Sequence, residues 1–353
     1  MTLDGTAIVY CEGAFDAPNG KTAHGLVRFT RRYRVASVID SRHADCDAAW
    51  ILDGYPAGIP VHDSVENALM ATAAATHLVI GLAPDGGRLP DSARADVRRA
   101  VELGLNVDAG LHDFLGEDPE IAALAKKAGV TIRDVRRPPD RNDLHFFTGK
   151  IEEVDCLKIA VLGTDSAVGK RTTAWKIVEG FEAAGHRAEM VGTGQTAWMQ
   201  GARFTTIMDS VVNDFVAGEI EHAVWRAWKE ARPEAIVIEG QGGLMNPAYP
   251  GGFEILAAGR PDVVVLQHAP ARRDYDGFPG YRIQPLGRQI EAIELISGRP
   301  VVALTLNHED LPLDRVPMVC TTVAALTGLP TSDVLLEGPG PLVEALTPFL
   351  KTA

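Results

Sequence analysis

The sequence predicts an α/β protein, with an N-terminal Rossmann-like parallel-sheet domain followed by a P-loop NTPase-like α/β domain. Three observations predict it. Apolar runs of strand length alternate with amphipathic runs of helix length, the pattern of a parallel sheet with covering helices, and the alternation occurs in two series. A polar, proline-bearing stretch near residue 140 separates the two series. A glycine-rich turn at residues 163–170, between a buried strand and a helix, opens the second.

Residues 1–140 are read as the first domain, with strands at 7–10, 35–40, 77–81, 105–109 and 130–134. Helical periodicity marks 64–75, 91–103 and 119–128. No G-x-G-x-x-G follows its first strand, so a dinucleotide site there lacks support. Residues 141–156, polar and following Arg136-Arg-Pro-Pro139, are read as a linker. The second domain, 157–353, has strands at 158–162, 187–191, 235–239, 262–267 and 301–306. Its first helix, 172–184, carries Ala174, Ile177, Val178 and Phe181 on one face. Trp225 and Trp228, three apart in the helical run 221–231, are read as core packing.

Composition bounds the function. The chain has 353 residues, 46% hydrophobic and 23% charged, enough for two ordinary globular cores. With 34 basic against 47 acidic residues the net charge is −13, so no extended basic face is available for nucleic acid. An anionic small substrate then needs locally concentrated cations. Cys11, Cys46, Cys156 and Cys320 are scattered without metal-type pairing, which fits a reduced cytoplasm and predicts no metal site. The N-terminus lacks the pattern of a signal peptide, and no apolar run approaches the roughly 20 residues of a membrane span. A cytoplasmic protein without membrane association is expected.

The chemistry concentrates in Gly163-Thr-Asp-Ser-Ala-Val-Gly-Lys-Arg-Thr-Thr173. Between strand and helix, such a turn aims several main-chain N–H groups at one point beside the positive end of a helix, and Lys170 adds a full charge. The cradle comprises Gly163, Thr164, Asp165, Ser166, Ala167, Val168, Gly169 and Lys170, with Arg171, Thr172 and Thr173 following. The usual loop is G-x-x-x-x-G-K-[ST], whose hydroxyl ligates Mg²⁺. Here the spacing is one residue longer and Arg171 follows the lysine. Thr172 is rotated by about 100° around the helix from that position. A second apolar strand ends in Glu239-Gly-Gln-Gly-Gly243, placing a carboxylate at the carboxyl end of the sheet, where open α/β sheets bind ligands. A helix-capping or turn carboxylate is the alternative reading of Glu239.

These motifs carry a resemblance. The loop is similar to the G-T-D-T-x-V-G-K-T loop of dethiobiotin synthetase, and Glu239-Gly-Gln-Gly-Gly243 resembles that enzyme's E-G-x-G-G turn. Over essentially its whole length the chain more closely resembles a family of two-domain P-loop proteins long catalogued as uncharacterised. Some of its members act as D-glutamate N-acetyltransferases beside an N-acetyl-glutamate racemase in D-glutamate catabolism. The resemblance rests on the Lys170-Arg-Thr-Thr173 form of the loop, Gly192-Thr-Gly-Gln-Thr196, Asp214-Phe215 with Glu219 and Glu221, and Glu239-Gly-Gln-Gly242. It rests also on Lys21-Thr-Ala-His-Gly25, Val38-Ile-Asp-Ser41 and Gly110-Leu-His-Asp-Phe-Leu115 in the first domain. It implies acetyl-CoA as donor and D-glutamate as acceptor.

Acetyl-CoA carries a diphosphate and a ribose phosphate, which suits the 163–173 cradle. Transfer to an amine requires a base for the ammonium proton. Glu239 is the leading candidate, with Asp209 and His268 behind it. Glycine-turn amides at 192–194 or 240–243 are candidate oxyanion donors. Arg272 and Arg273 are candidates for gripping the substrate carboxylates, with hydrogen bonds from Thr193, Gln195 and Gln241. Two other functions remain open: an ATP- and Mg²⁺-dependent enzyme activating a carboxylate or carbamate, and a non-catalytic nucleotide-binding regulatory protein. P-loop proteins of this branch pair with a second copy, so a homodimer is expected.

Overall fold

The computed structural model describes residues 3–351. The chain divides into two compact units. The first runs to Pro138 and also takes in Gln195–Ala202; the second holds Pro139–Gly194 and the chain from Arg203 onward.

In the first unit β1 (Gly5–Tyr10), α1 (Lys21–Arg28), β2 (Tyr33–Ile39), α2 (Ala48–Asp53), β3 (Val61–His62) and α3 (Val65–Ala71) come first. They are followed by β4 (His77–Ile80), α4 (Asp91–Glu102), β5 (Asn106–Ala109), α5 (Pro119–Ala128) and β6 (Ile132–Asp134). The strands pair in parallel in the order β3-β2-β1-β4-β5-β6. Short polar turns stop and start the helices by the expected chemistry. At α5, for example, the Asp118 carboxylate caps the first amides, Pro119 sits at the first turn and Gly129 ends the helix at φ +72°.

The second unit begins with β7 (Leu157–Gly163), α6 (Lys170–Ala183) and β8 (Ala188–Gly192). After α7 (Gln195–Met199), which belongs to the first unit, come β9 (Phe204–Thr205), α8 (Asn213–Ala231), β10 (Ala235–Glu239), α9 (Gly252–Gly259) and β11 (Val263–His268). The chain ends with α10 (Leu286–Ser297), β12 (Val301–Leu306), α11 (Val316–Thr327), β13 (Thr331–Ser332) and α12 (Gly340–Leu346). The sheet order is β13-β12-β11-β7-β10-β8-β9, parallel throughout. β7 is central and buried along its whole length, as a strand covered on both faces must be.

The ten expected strands are present within one or two residues of their ends. The three others, β3, β9 and β13, are two-residue edge strands, too short to leave a pattern. Residues 141–156, read as a linker, dock on the second unit. The N–H of His145 donates to Glu219 (2.7 Å), and buried Glu221 accepts from the Thr148 N–H (2.6 Å), the Thr148 hydroxyl (2.9 Å) and the Ile151 N–H (3.2 Å). Ile151, Val154 and Cys156 join the core. Trp225 and Trp228 are half-buried rather than internal, and their indoles donate to Glu153 (2.9 Å) and Asp155 (2.5 Å).

Residues 195–202 are built into the first unit. Met199 is wholly buried in its core, and the Arg32 guanidinium lies 3.8 Å from the Trp198 ring centroid. The Gln200 amide donates to the carbonyls of Gly25 (2.8 Å) and Phe29 (3.0 Å). Among the described residues the four cysteines are unpaired, and no helix is long and apolar enough to cross a membrane.

Candidate active site

The loop after β7 is shaped by its glycines and held by side chains from distant loops. A Cβ at Gly163 would lie 2.8 Å from Val168 Cγ2 and 3.0 Å from Lys170 Nζ, so any larger residue would force Val168 and Lys170 to shift. Gly169 opens α6 at φ +107°, and Ala167 takes a left-handed φ of +53°, a conformation that costs a non-glycine residue energy unless its surroundings impose it. Lys170 is buried, and its ammonium donates to the carbonyls of Asp165 and Gly242, both at 2.7 Å. Burial pulls this lysine down to about 8, against the attraction of Asp165 and Glu239.

Asp165, placed in the cradle by the sequence, is the fully buried hub of three loops. Its carboxylate accepts from the Ser166 N–H (2.7 Å), Asn246 Nδ2 (2.8 Å), Arg272 Nη1 (3.0 Å) and the Asp276 N–H (2.8 Å). The Thr173 hydroxyl donates to Gln267 Oε1, and Thr164 Oγ1 lies 3.0 Å from His268 Nδ1. Both threonines are fully buried, so their hydroxyls serve the fold of the loop. Arg171 and Thr172 follow Lys170 on the first turn of α6, both partly exposed.

Glu239 ends β10, 4% exposed, with its carboxylate accepting the Thr193 N–H at 2.8 Å. Burial lifts its carboxyl above the ordinary glutamate range, against the opposing pull of Arg171, the Thr193 amide, Lys170 and the Gly194 amide. The Thr193 hydroxyl donates to the Glu239 carbonyl (2.9 Å) and accepts from Gln241 Nε2 (2.9 Å). The amides expected at 192–194 as oxyanion donors are therefore engaged, because Thr193 and Gly194 direct theirs to Glu239. In the other glycine turn, the Gly243 N–H donates to the Tyr249 carbonyl (3.1 Å).

The remaining candidates divide. His268 ends β11 beside the loop, and burial pulls its imidazole down to about 4. An imidazole that weak is poorly matched to taking a proton near neutrality, while burial shifts Glu239 in the opposite direction. Asp209 is exposed in the turn Met208–Ser210, and the N–H of its neighbour Met208 donates to the Thr193 carbonyl (3.1 Å). All five N–H donors of Arg272 are used within its own surroundings. Nη1 reaches Asp165 and the Ser166 carbonyl (2.8 Å), while Nε and Nη2 form a fork on Glu309 (2.7–3.2 Å). In this conformation no donor is left for a substrate carboxylate. Arg273 is exposed. Gln195 begins α7 in the first unit, where its side chain packs on Gly110.

Sequence reasoning missed Asn246, Gln267, Asp276, Asn307 and Glu309. Two had a usable signal. Asn246-Pro247 shortly follows the glycine turn and is a turn dipeptide, and Asn307 directly follows the apolar strand β12 at the carboxyl end of the sheet. Among the described residues no three His, Cys, Asp or Glu side chains group as metal ligands.

Comparison with known proteins follows the two units. Residues 145–343 match the P-loop domain of the family of unknown function DUF1611, and residues 41–138 match its N-terminal Rossmann-like domain. A D-glutamate N-acetyltransferase from Tritonibacter scottomollicae is 30% identical over 287 residues, covering 78% of this chain and 82% of the relative. One from a Pseudoalteromonas species is 28% identical over 275 residues, covering 76% and 80%. A crystal structure of a DUF1611 family protein from Anabaena variabilis matches with a TM-score of 0.90 and 29% identity, covering 98% of this chain and 100% of that one. With both domain models matched in order and one solved member aligned along nearly its full length, this chain belongs to the DUF1611 family.

Proposed function

We propose that the protein is an N-acetyltransferase that moves the acetyl group of acetyl-CoA to the amino group of D-glutamate, giving N-acetyl-D-glutamate. One observation carries the reading: Glu239, a buried carboxylate at the end of β10 whose carboxyl burial raises, lies within the electrostatic reach of Lys170 at the phosphate loop. The two relatives of that name, similar over more than three quarters of the chain, supply the substrate class.

In this reading the 163–170 loop and Lys170 hold the diphosphate end of the carrier. Lys170 exchanges the carbonyls of Asp165 and Gly242 for phosphate oxygens, a stronger, charge-assisted pairing. Glu239 in its ionised form takes a proton from the substrate ammonium. The freed amine attacks the thioester carbonyl, the C–N bond forms, and as the C–S bond breaks the second proton leaving the nitrogen passes to the departing thiolate. No activated protein nucleophile is required, and buried Cys11, Cys156 and Cys320 have thiols raised by burial, which makes them poor ones.

The test is thiol release from acetyl-CoA by purified protein across D- and L-amino acids. Release dependent on D-glutamate is the expected result. ADP release with Mg²⁺ and no thiol release would assign the loop to phosphoryl transfer. Ligand-induced stabilisation without turnover would assign it to a regulatory binding protein.

A further inference from the structure

Two carbonyls of the phosphate loop are held by side-chain donors from other loops. Arg272 Nη1 donates to the Ser166 carbonyl (2.8 Å), and Asn307 Nδ2 donates to the Val168 carbonyl (3.0 Å). A peptide unit is planar and trans, so a carbonyl fixed in one direction fixes the next residue's N–H in the opposite direction. Holding Ser166 O therefore orients the N–H of Ala167, and holding Val168 O orients that of Gly169. Ala167 has the left-handed φ of +53°, the part of the loop that most needs support from outside.

Arg272 is itself locked. Its side chain is 13% exposed, Asp165 receives Nη1 at 3.0 Å, and Glu309 receives Nε and Nη2 in a fork. Asp165, which lies in the loop, also accepts Asn246 from one loop and the Asp276 amide from another. A planar guanidinium can hold a carboxylate on one edge while reaching a carbonyl and a second carboxylate on the other; a lysine ammonium has no such fixed geometry.

We propose that Arg272 is a positioning residue for the anion cradle: clamped by Glu309, it braces Asp165 and the Ser166 carbonyl so that the loop's amides stay aimed at the ligand before it arrives. This rests on the reading of the loop as the carrier's phosphate site, and it assigns to Arg272 a role other than gripping the amino acid.

Two measurements on the full chain test it, in Arg272→Met, Arg272→Lys and the gentler Glu309→Gln. Backbone ¹⁵N relaxation reads the ligand-free loop, and the expected result is lower order parameters at Ala167 and Gly169 in all three, with the core strand β7 as rigid as in the wild type. Calorimetry with CoA reads the consequence. Affinity should fall about tenfold in Arg272→Met, the scale of one charge-assisted hydrogen bond, with no rescue in Arg272→Lys. The acceptor's KM should stay unchanged. Wild-type order parameters at Ala167 and Gly169 in Arg272→Met would overturn the brace, as would a raised acceptor KM with CoA affinity intact. Should the wild type bind ATP and not CoA, the acetyltransfer reading falls, and the relaxation result alone then decides the brace.

Discussion

Glu239 and Lys170 are charged groups held where charge is costly, and burial moves each of them towards its neutral form. For Glu239 burial raises the carboxyl above its ordinary range, the direction that the proposed role as base requires. Glu239→Gln keeps the size and the contacts to Thr193 but cannot accept the proton. Its kcat for acetyl transfer should fall about 100- to 10,000-fold with the KM for acetyl-CoA little changed, as steady-state kinetics will read. Lys170 gives a pH signature. Its ordinary value of 10.5 is depressed to about 8, so the folded state binds fewer protons than the unfolded state between those values. The associated stability is fully present above 10.5 and is lost as the pH falls through about 8. Lys170→Met should therefore raise the Tm of the ligand-free protein by a few degrees near neutral pH, a gain that vanishes at about pH 10.5 in a melting series. On the proposed reading the same residue should set the alkaline limb of ligand binding. Wild-type affinity for CoA should decline as the pH rises past about 8, and Lys170→Met should flatten that decline in calorimetry.

At the scale of elements, two segments are held by contacts their own sequence does not advertise. The 145–151 segment hangs on α8 through Glu221, whose carboxylate receives three donors. Glu221→Ala leaves the buried Ile151 N–H and the part-buried donors of Thr148 without this acceptor and should cost about 1–3 kcal/mol in urea unfolding, with faster proteolysis around residues 145–153. Glu221→Gln keeps one acceptor oxygen and should cost less. Helix α7 is held in the first unit by Met199, Trp198 and Gln200. Met199 is wholly buried, so Met199→Ala should destabilise the first unit by about 2–5 kcal/mol, visible as an earlier unfolding transition in calorimetry. Short β3, β9 and β13 show the same limit from the other side. Two residues that complete a sheet edge carry no periodicity, and only the neighbouring strand makes them strands.

Over the whole molecule, the chain enters the first unit twice: once from its start to Pro138, and again for Gln195–Ala202. The P-loop half is thus not an independent piece of sequence. A fragment beginning at Pro139 would carry Trp198 and Met199 without the core that covers them in the first unit. Such a fragment should aggregate, and replacing residues 195–202 with a polar linker of equal length should restore solubility in size-exclusion chromatography.

Hydrophobic periodicity and one glycine-rich turn, both local properties, determined by themselves the two parallel-sheet domains, ten of the strands, the phosphate loop and the place of Glu239 at a strand end. They are legible because each is written in consecutive residues. Tertiary structure alone decided that Arg272 serves the loop, that Asp165 ties three loops together, that the Thr193 and Gly194 amides hold Glu239, and that α7 belongs to the first unit. The physical reason is range. A hydrogen bond between residues about a hundred positions apart depends on where the whole sheet delivers its loops, and no window of the sequence contains both partners.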